Sequence, residues 1–260
     1  MEPNYTPENT SPAYQLNWSL AIFGREKLPA PPDWLAALRI VCEADGTRIL
    51  ECNQRSENTL QFLISTRPEV PPADAIRSVK GRLQHLLRDR HPKAFRRNYH
   101  IQSVGNANAQ ILGRYVDRQP TKHPMADPRV QSAIESLQFH DGRVDLSQVF
   151  QSSHGQMVHS LQIVLENTEG WHEVRAARLS KVRDVIVRSA RKKDWRLSRI
   201  GLLSNHLHVL LGSSVGESPQ SISLSLMNNI AWVNGMKPIL KFSYYVGTFS
   251  GYDRGVIRRH

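Results

Sequence analysis

The chain has 260 residues, 40% of them apolar and 22% charged, and its 34 Lys and Arg against 23 Asp and Glu give a net charge of +11. That much apolar material excludes wholesale disorder, and the positive field favours polyanionic partners such as nucleic acid over neutral ones. No apolar run approaches the roughly 18 to 20 residues of a spanning helix, and the amino terminus is polar and proline-bearing, so a membrane protein is not expected.

In chain order, residues 1–13 read as a disordered tail and YQLNWSLAIFG (14–24) as a strand. There follow a helix-like PPDWLAALRIVCEADG (31–46), the strand-like ENTLQFLIS (57–65), a helix-like PPADAIRSVKGRLQHLLRDRHP (71–92), the strand-like NYHIQSVG (98–105) and a helix-like NANAQILGRYVDRQ (106–119). Strands are read from β-branched and aromatic runs between Gly, Asn and Pro, helices from apolar residues three and four apart. Residues 120–153 mix prolines with one short helix-like piece, PRVQSAIESLQ, and read as a structured connector. Cys42 and Cys52, the only cysteines, are too few for a disulfide framework or a cysteine-based zinc site and read as buried thiols.

The same order returns at an offset of 145 to 147 residues: QMVHSLQIVLEN, the helix-like WHEVRAARLSKVRDVIVRSARKK, NHLHVLLGS, SPQSISLSLMNNIAWVN, SYYVGTFSG and YDRGVIRRH. A repeat of about 100 residues that alternates strands and helices predicts two small α+β lobes, 14–119 and 154–260, each an antiparallel sheet with helices packed on one face.

His206 and His208 lie two apart on a strand, so both imidazoles face the same side while Leu207 points to the other. Such a pair either holds one metal ion or belongs to an ordinary half-buried strand. From Arg175 to Arg199 there are ten basic residues, Arg175, Arg178, Lys181, Arg188, Lys192 and Lys193 among them, opposed only by Asp184 and Asp194. A second cluster with Lys80, Arg82 and Arg88 covers what reads as the matching helix of the first half. Both are candidate phosphate-binding surfaces, giving affinity without sequence discrimination. Trp18, Trp34, Trp171, Trp195 and Trp232 are core anchors or platforms for unpaired bases.

NHLHVLLG, followed by a polar helix and YYVGTFSGYDRGVIRR, resembles the IS200/IS605-type single-tyrosine (HUH) transposases and their relatives associated with repeated extragenic palindromes; KGR in the helix 71–92 and NYHIQSVGNANAQILGRYVDRQ resemble that family's later elements. The resemblance implies ferredoxin-like (RRM/palm-like) lobes, a His-hydrophobic-His strand that binds metal, and a nucleophilic tyrosine with a glutamine four residues on. Here Thr59 and Gln61 stand where His206 and His208 stand in the second half, and His260 stands opposite Tyr115. One half has lost the histidines and the other the tyrosine. Because family members act as homodimers, the resemblance implies an intramolecular, monomeric pseudo-dimer with one composite site, Tyr115 and Gln119 from the first half with His206 and His208 from the second, and a degenerate site at Thr59, Gln61 and His260.

The expected activity is that of a metal-dependent single-strand DNA endonuclease and strand transferase acting on hairpin-bearing DNA, in the cytoplasm with the nucleoid. A phenol of pKa about 10 needs help to attack phosphorus near neutral pH; Mg²⁺ or, better suited to two imidazoles, Mn²⁺ would polarise the scissile phosphate. The alternative is a domesticated, non-catalytic binder of DNA or RNA hairpins. Two-histidine phosphoesterases, also duplicated, need a His-x-Ser/Thr pair in both halves and are set aside.

Overall fold

The computed structural model describes residues 2–151, 155–168 and 173–251. It begins with a short strand β1 (Ser11–Gln15) and then runs through β2 (Asn17–Gly24), α1 (Leu35–Ala44), β3 (Thr47–Ser56), β4 (Thr59–Thr66), α2 (Pro72–Leu87), β5 (Phe95–Val104) and α3 (Ala109–Asp117). A connecting segment holds α4 (Gln119–Lys122), α5 (Pro128–Ser136), β6 (Phe139–His140) and β7 (Phe150–Gln151). The second half continues with β8 (Gly155–Val158), β9 (Ser160–Asn167), α6 (Ala176–Lys192), β10 (Arg196–Leu202), β11 (His206–Gly212), α7 (Pro219–Val233) and β12 (Leu240–Thr248).

Each lobe is a βαββαβ unit with its last strand beside its first: the core orders are β3-β4-β2-β5 and β10-β11-β9-β12. The α+β, tandem ferredoxin-like expectation holds. The alternation along each central strand explains the layering. In β11, Leu207, Val209 and Leu211 point into the core under α6 and α7, where Leu179, Val182 and Ile186 meet them, and the intervening residues face the opposite side. The first lobe buries Trp18, Leu20 and Ile22 of β2 against Leu38 of α1 and Val79 and Leu83 of α2 in the same way.

The lobes exchange strands reciprocally. β1 adds in parallel to β12 of the second lobe, with Gln15 opposite Gly247. β8 adds in parallel to β5 of the first, with Val158 opposite Gln102. At the seam, Ser103 Oγ donates to the Phe249 carbonyl at 2.5 Å and Thr248 Oγ1 donates to the Val104 carbonyl at 2.6 Å. Those hydroxyls also accept the backbone amides of Ser160 and Asn17, respectively. The helices repeat the pattern: Ala73 N donates to Val215 O and Gln220 N to Pro68 O, both at 2.9 Å. Paired contacts in which i meets j and its counterpart meets i's counterpart are the mark of a two-fold interface, here within one chain.

Four expectations change. Residues 2–13 are not a disordered tail: β1 completes the second sheet and Tyr5 is 1% exposed in the second core. The expected boundary at 14 falls inside β1, which serves the second sheet, and β8, which lies beyond 154, serves the first. β3 and β10 escaped the sequence reading; β3 is half exposed and polar beyond Cys52, an edge strand lacking the apolar alternation that marks a buried one. The two basic helices are not counterparts. α6 follows the first strand of its lobe, as α1 does, whereas the counterpart of α2 is α7, which carries no Lys or Arg. Between the halves, β6 extends the second sheet and β7 the first. Cys42 is buried and Cys52 half-buried, both as free thiols, and burial raises the pKa of each, that of Cys52 to about 11.

Candidate active site

α3 leaves the first lobe and lies on the second. Asn108 caps it, its side-chain oxygen accepting the Ile111 amide at 2.9 Å. Its inward face is Leu112, Gly113 and Val116, which with Leu210, Leu146 and Phe249 form a small core on the outer face of the second sheet. Two glycines permit the close approach. A Cβ on Gly113 would sit 2.8 Å from the Arg199 guanidinium carbon, and one on Gly201 would sit 2.7 Å from Val116 Cγ1. Arg199 Nε then donates to Asp117 Oδ1 at 2.9 Å, fastening the end of α3 to β10.

This docking brings Tyr115 to the histidine pair. The Tyr115 ring meets His208 edge-on with centroids 5.6 Å apart, and His206 meets His208 at 5.1 Å. Tyr115 is 40% exposed and His208 only 4%. Lys122 places its ammonium 4.8 Å from the centre of the Tyr115 ring, a cation–π contact. Gln119, 1% exposed, donates its amide to the Tyr115 carbonyl at 3.4 Å. α3 has ended by then: Gln119 opens α4, with Pro120 in its first turn, rather than closing the tyrosine helix.

His123 was not among the residues expected at the site. Its ring stands 5.4 Å from that of His206, so three imidazoles line one face. The signal was present: Tyr115, Gln119 and His123 recur at intervals of four residues, the spacing of one helix face.

Electrostatics and bonding suit metal coordination by the pair. Desolvation, then the neighbouring His206 and His123, push the His208 pKa down to about 4, and desolvation also lowers that of His206. Both rings are therefore neutral near pH 7, with lone pairs available. Neither nitrogen of buried His208 has a hydrogen-bond partner, an expense ordinarily avoided and one that a bound cation would relieve. His206 Nδ1 lies 2.7 Å from Asn205 Oδ1; such a bond fixes the tautomer that leaves Nε2 as the ligand atom. Among the described residues no group of three or more His, Cys, Asp or Glu is placed to hold a metal, and the contact Gln119 makes is the one to the Tyr115 carbonyl.

At the first lobe's equivalent position on β4, Thr59 Oγ1 lies against Asn58, and Gln61 is held by Arg55 at 2.5 Å and donates to Ser19 Oγ at 3.0 Å. Hydrogen bonding to these neighbours replaces a ligand pair. His260 lies outside the described residues.

The candidate phosphate contacts divide. Lys80 donates to the carbonyls of Arg97 and Asn98, and burial lowers its pKa. Arg82 is paired with Asp45, Arg88 with Asp89, and Arg175 and Arg178 share Glu173. Lys181, Arg188, Lys192 and Lys193 are exposed and make no ion pair among the described residues. Trp18, Trp34 and Trp195 are buried core residues, Trp232 is 62% exposed, and Trp171 lies outside the described residues. None of the helices among the described residues is long and apolar enough to cross a membrane.

Comparison with known proteins fits this geometry. Residues 32–119 match the sequence model of the family described as "Transposase IS200 like". No curated protein matches the chain. Of solved structures, one described as a REP-associated tyrosine transposase bound to a REP hairpin is 13% identical, with a TM-score of 0.33 over 39% of this chain and 61% of that one. A putative glycine cleavage system transcriptional repressor is 9% identical (TM-score 0.25, 90% and 98% covered), and a microcompartment protein from Desulfitobacterium hafniense is 12% identical (TM-score 0.22, 94% and 99%). Likenesses this slight carry no argument. The sequence match does, and over residues 32–119, from the turn before α1 to Gln119, the resemblance to the IS200-like transposases is shown.

Proposed function

We propose that this protein is a metal-dependent endonuclease and strand transferase for hairpin-bearing single-stranded DNA, with one composite active site in an intramolecular pseudo-dimer. The observation that carries the reading is the edge-on meeting of Tyr115, from the first half, with His208, from the second. His206, His208 and Gln119 would hold Mg²⁺ or Mn²⁺, which when bound supplies an electrophile to polarise the scissile phosphate.

The chain's own residues do the rest. The Tyr115 oxygen attacks phosphorus, forming a Tyr–O–P bond as the P–O3′ bond breaks; the phenolic proton leaves and the departing oxygen becomes a free 3′-OH. A phosphodiester is exchanged for a phosphodiester, so the step reverses without ATP. α3, clamped through Gly113, Gly201 and the Arg199–Asp117 pair, holds the nucleophile in place, the positional component of catalysis. Lys122 offers a cation beside the developing phenolate, and Lys181, Arg188, Lys192 and Lys193 offer unpaired cations for the strand's phosphates.

The test is incubation with end-labelled hairpin-bearing single-stranded DNA and Mn²⁺, followed by denaturing electrophoresis. The wild type yields an adduct that persists through denaturation and is absent from Tyr115→Phe. No adduct across a set of hairpins supports the non-catalytic hairpin binder instead.

A further inference from the structure

On the flank of α3 away from Tyr115, the second lobe has a cavity of about 430 Å³ that the proposed chemistry leaves unused. Buried Leu146, Leu210 and Phe249 form its apolar floor. Leu210 stands two residues from His208 on β11, so the floor and the imidazole pair share one face of the sheet. The tyrosine helix lies between them. Gln110 and Arg114, four apart, turn to the cavity, while Tyr115, one residue further, turns to His208. The opposite wall is the connecting segment from Val144 to Ser147.

The charged groups on the rim are of both signs. Arg199 gives Nε to Asp117 and Nη1 to Ser198 Oγ, which leaves Nη2 without a hydrogen bond among the described residues. The Arg114 guanidinium makes neither hydrogen bond nor ion pair among the described residues. Against them stands Asp145, whose Oδ1 accepts the Ser147 amide at 2.8 Å and the Ser147 hydroxyl at 2.6 Å. Those bonds lower its pKa and keep it ionised, and its Oδ2 remains an open acceptor among the described residues. A simple anion would meet the Asp145 charge, and a simple cation would meet both arginines. The ligand that satisfies the whole rim carries an anionic group, a hydrogen-bond-donating edge and an apolar body.

We infer that this cavity takes one nucleotide, with its base over the apolar floor, the exocyclic amino group at Asp145, and the phosphate at Arg114 and Arg199. The volume lies toward the lower end of the range of small-molecule sites, about 300–1,000 Å³, and suits one nucleotide rather than two. The same chemistry is offered by a free nucleotide and by the strand under cleavage, whose scissile phosphate would sit at the imidazoles with a neighbouring nucleotide across α3. The second source rests on the DNA-processing reading proposed above.

The test uses the full chain in chelator and four probes: dAMP and dTMP by calorimetry, and 5′-labelled single-stranded oligo(dA) and oligo(dT) by fluorescence anisotropy. Thymine lacks the amino group, so adenine should be preferred in one pair of probes or in both. Arg114→Ala, at an exposed side chain, should weaken adenine binding about ten-fold or more, as expected for losing a hydrogen bond to a charged group. Asp145→Asn keeps Oδ1 as the acceptor for Ser147 and turns the open oxygen into a donor; it should erase the preference for adenine. Both variants should melt as the wild type does. Effects confined to the oligomers identify the strand as the source, and effects confined to dAMP identify a free nucleotide. Equal binding of adenine and thymine by the wild type, wild-type affinity in Arg114→Ala, or a preference that persists in Asp145→Asn overturns the inference. None of these outcomes touches the active-site reading, which stands or falls on the Tyr115 adduct.

Discussion

Tyr115 and His208, 93 residues apart in sequence, stand with ring centroids 5.6 Å apart because α3 crosses from the lobe that made it to the sheet of the other. The crossing is set by two small residues. Gly201→Val would drive a branched side chain into Val116, whose Cγ1 lies only 2.7 Å from where the first added carbon would stand. Overpacking of this kind costs about 1–3 kcal/mol, and displacement by about 1 Å costs on the order of 100-fold in rate. Adduct formation should fall by at least that order while hairpin affinity, measured in chelator, holds.

Metal affinity should follow the imidazoles. His208→Ala and His206→Ala should each weaken Mn²⁺ binding, read by calorimetry or by the Mn²⁺ electron paramagnetic resonance signal, by about ten-fold or more. His123→Ala should change it little, because His123 lies beside His206 without completing a three-residue metal group.

The seam between lobes predicts a coupled pair. Ser103→Ala removes the donor to Phe249 O and the acceptor of Ser160 N; Thr248→Val does the same to Val104 O and Asn17 N. Each strands buried backbone groups at a cost of about 1–3 kcal/mol. Chemical denaturation of the two single variants and the double should show non-additivity, since both sit at one contact.

Acid should unfold the protein through His159 as well as through its carboxylates. His159 lies on the seam, its ring edge-on to Trp18 at 5.2 Å and its Nδ1 2.7 Å from the Ser214 carbonyl. Burial lowers its pKa from 6.5 to about 4, against a smaller raising effect from the Ser214 bond and Glu217 and a lowering one from Arg196. The unfolded chain therefore binds the proton first, and stability is full above pH 6.5 and falls as pH drops toward 4. The loss is at most about 3 kcal/mol, from 1.36 kcal/mol per pH unit. His159→Gln should flatten that limb of the denaturation midpoint against pH; an unchanged slope assigns it to other groups.

Much of this was legible in the sequence because the signals are local. Alternation in NHLHVLLG put both imidazoles on one face, and the repeat offset paired Thr59 with His206 and Gln61 with His208, as β4 and β11 do in space. What was not legible depended on pairing between distant segments. Residues 2–13 have the composition of a tail, and only the distant Asn228, Leu240 and Phe242, which hold Tyr5, explain their order. β3 is polar because it is an edge strand, and β10 interleaves with its apolar residues Arg199, which fastens α3 from the other half, and Arg196, which reaches the Asp145 carbonyl and the Phe150 ring. His123 was hidden by Pro124, which reads as a loop, although its spacing from Tyr115 and Gln119 was regular.

If one chain holds one complete site, complementation is the most direct test. Tyr115→Phe retains the histidine pair and His208→Ala retains the nucleophile, so neither forms a denaturation-resistant DNA adduct alone. Their equimolar mixture should form none either, while the wild type is labelled at Tyr115 by peptide mass spectrometry. Recovery of adduct in the mixture would contradict the single-chain site, because it requires the phenol of one molecule to reach the imidazoles of another.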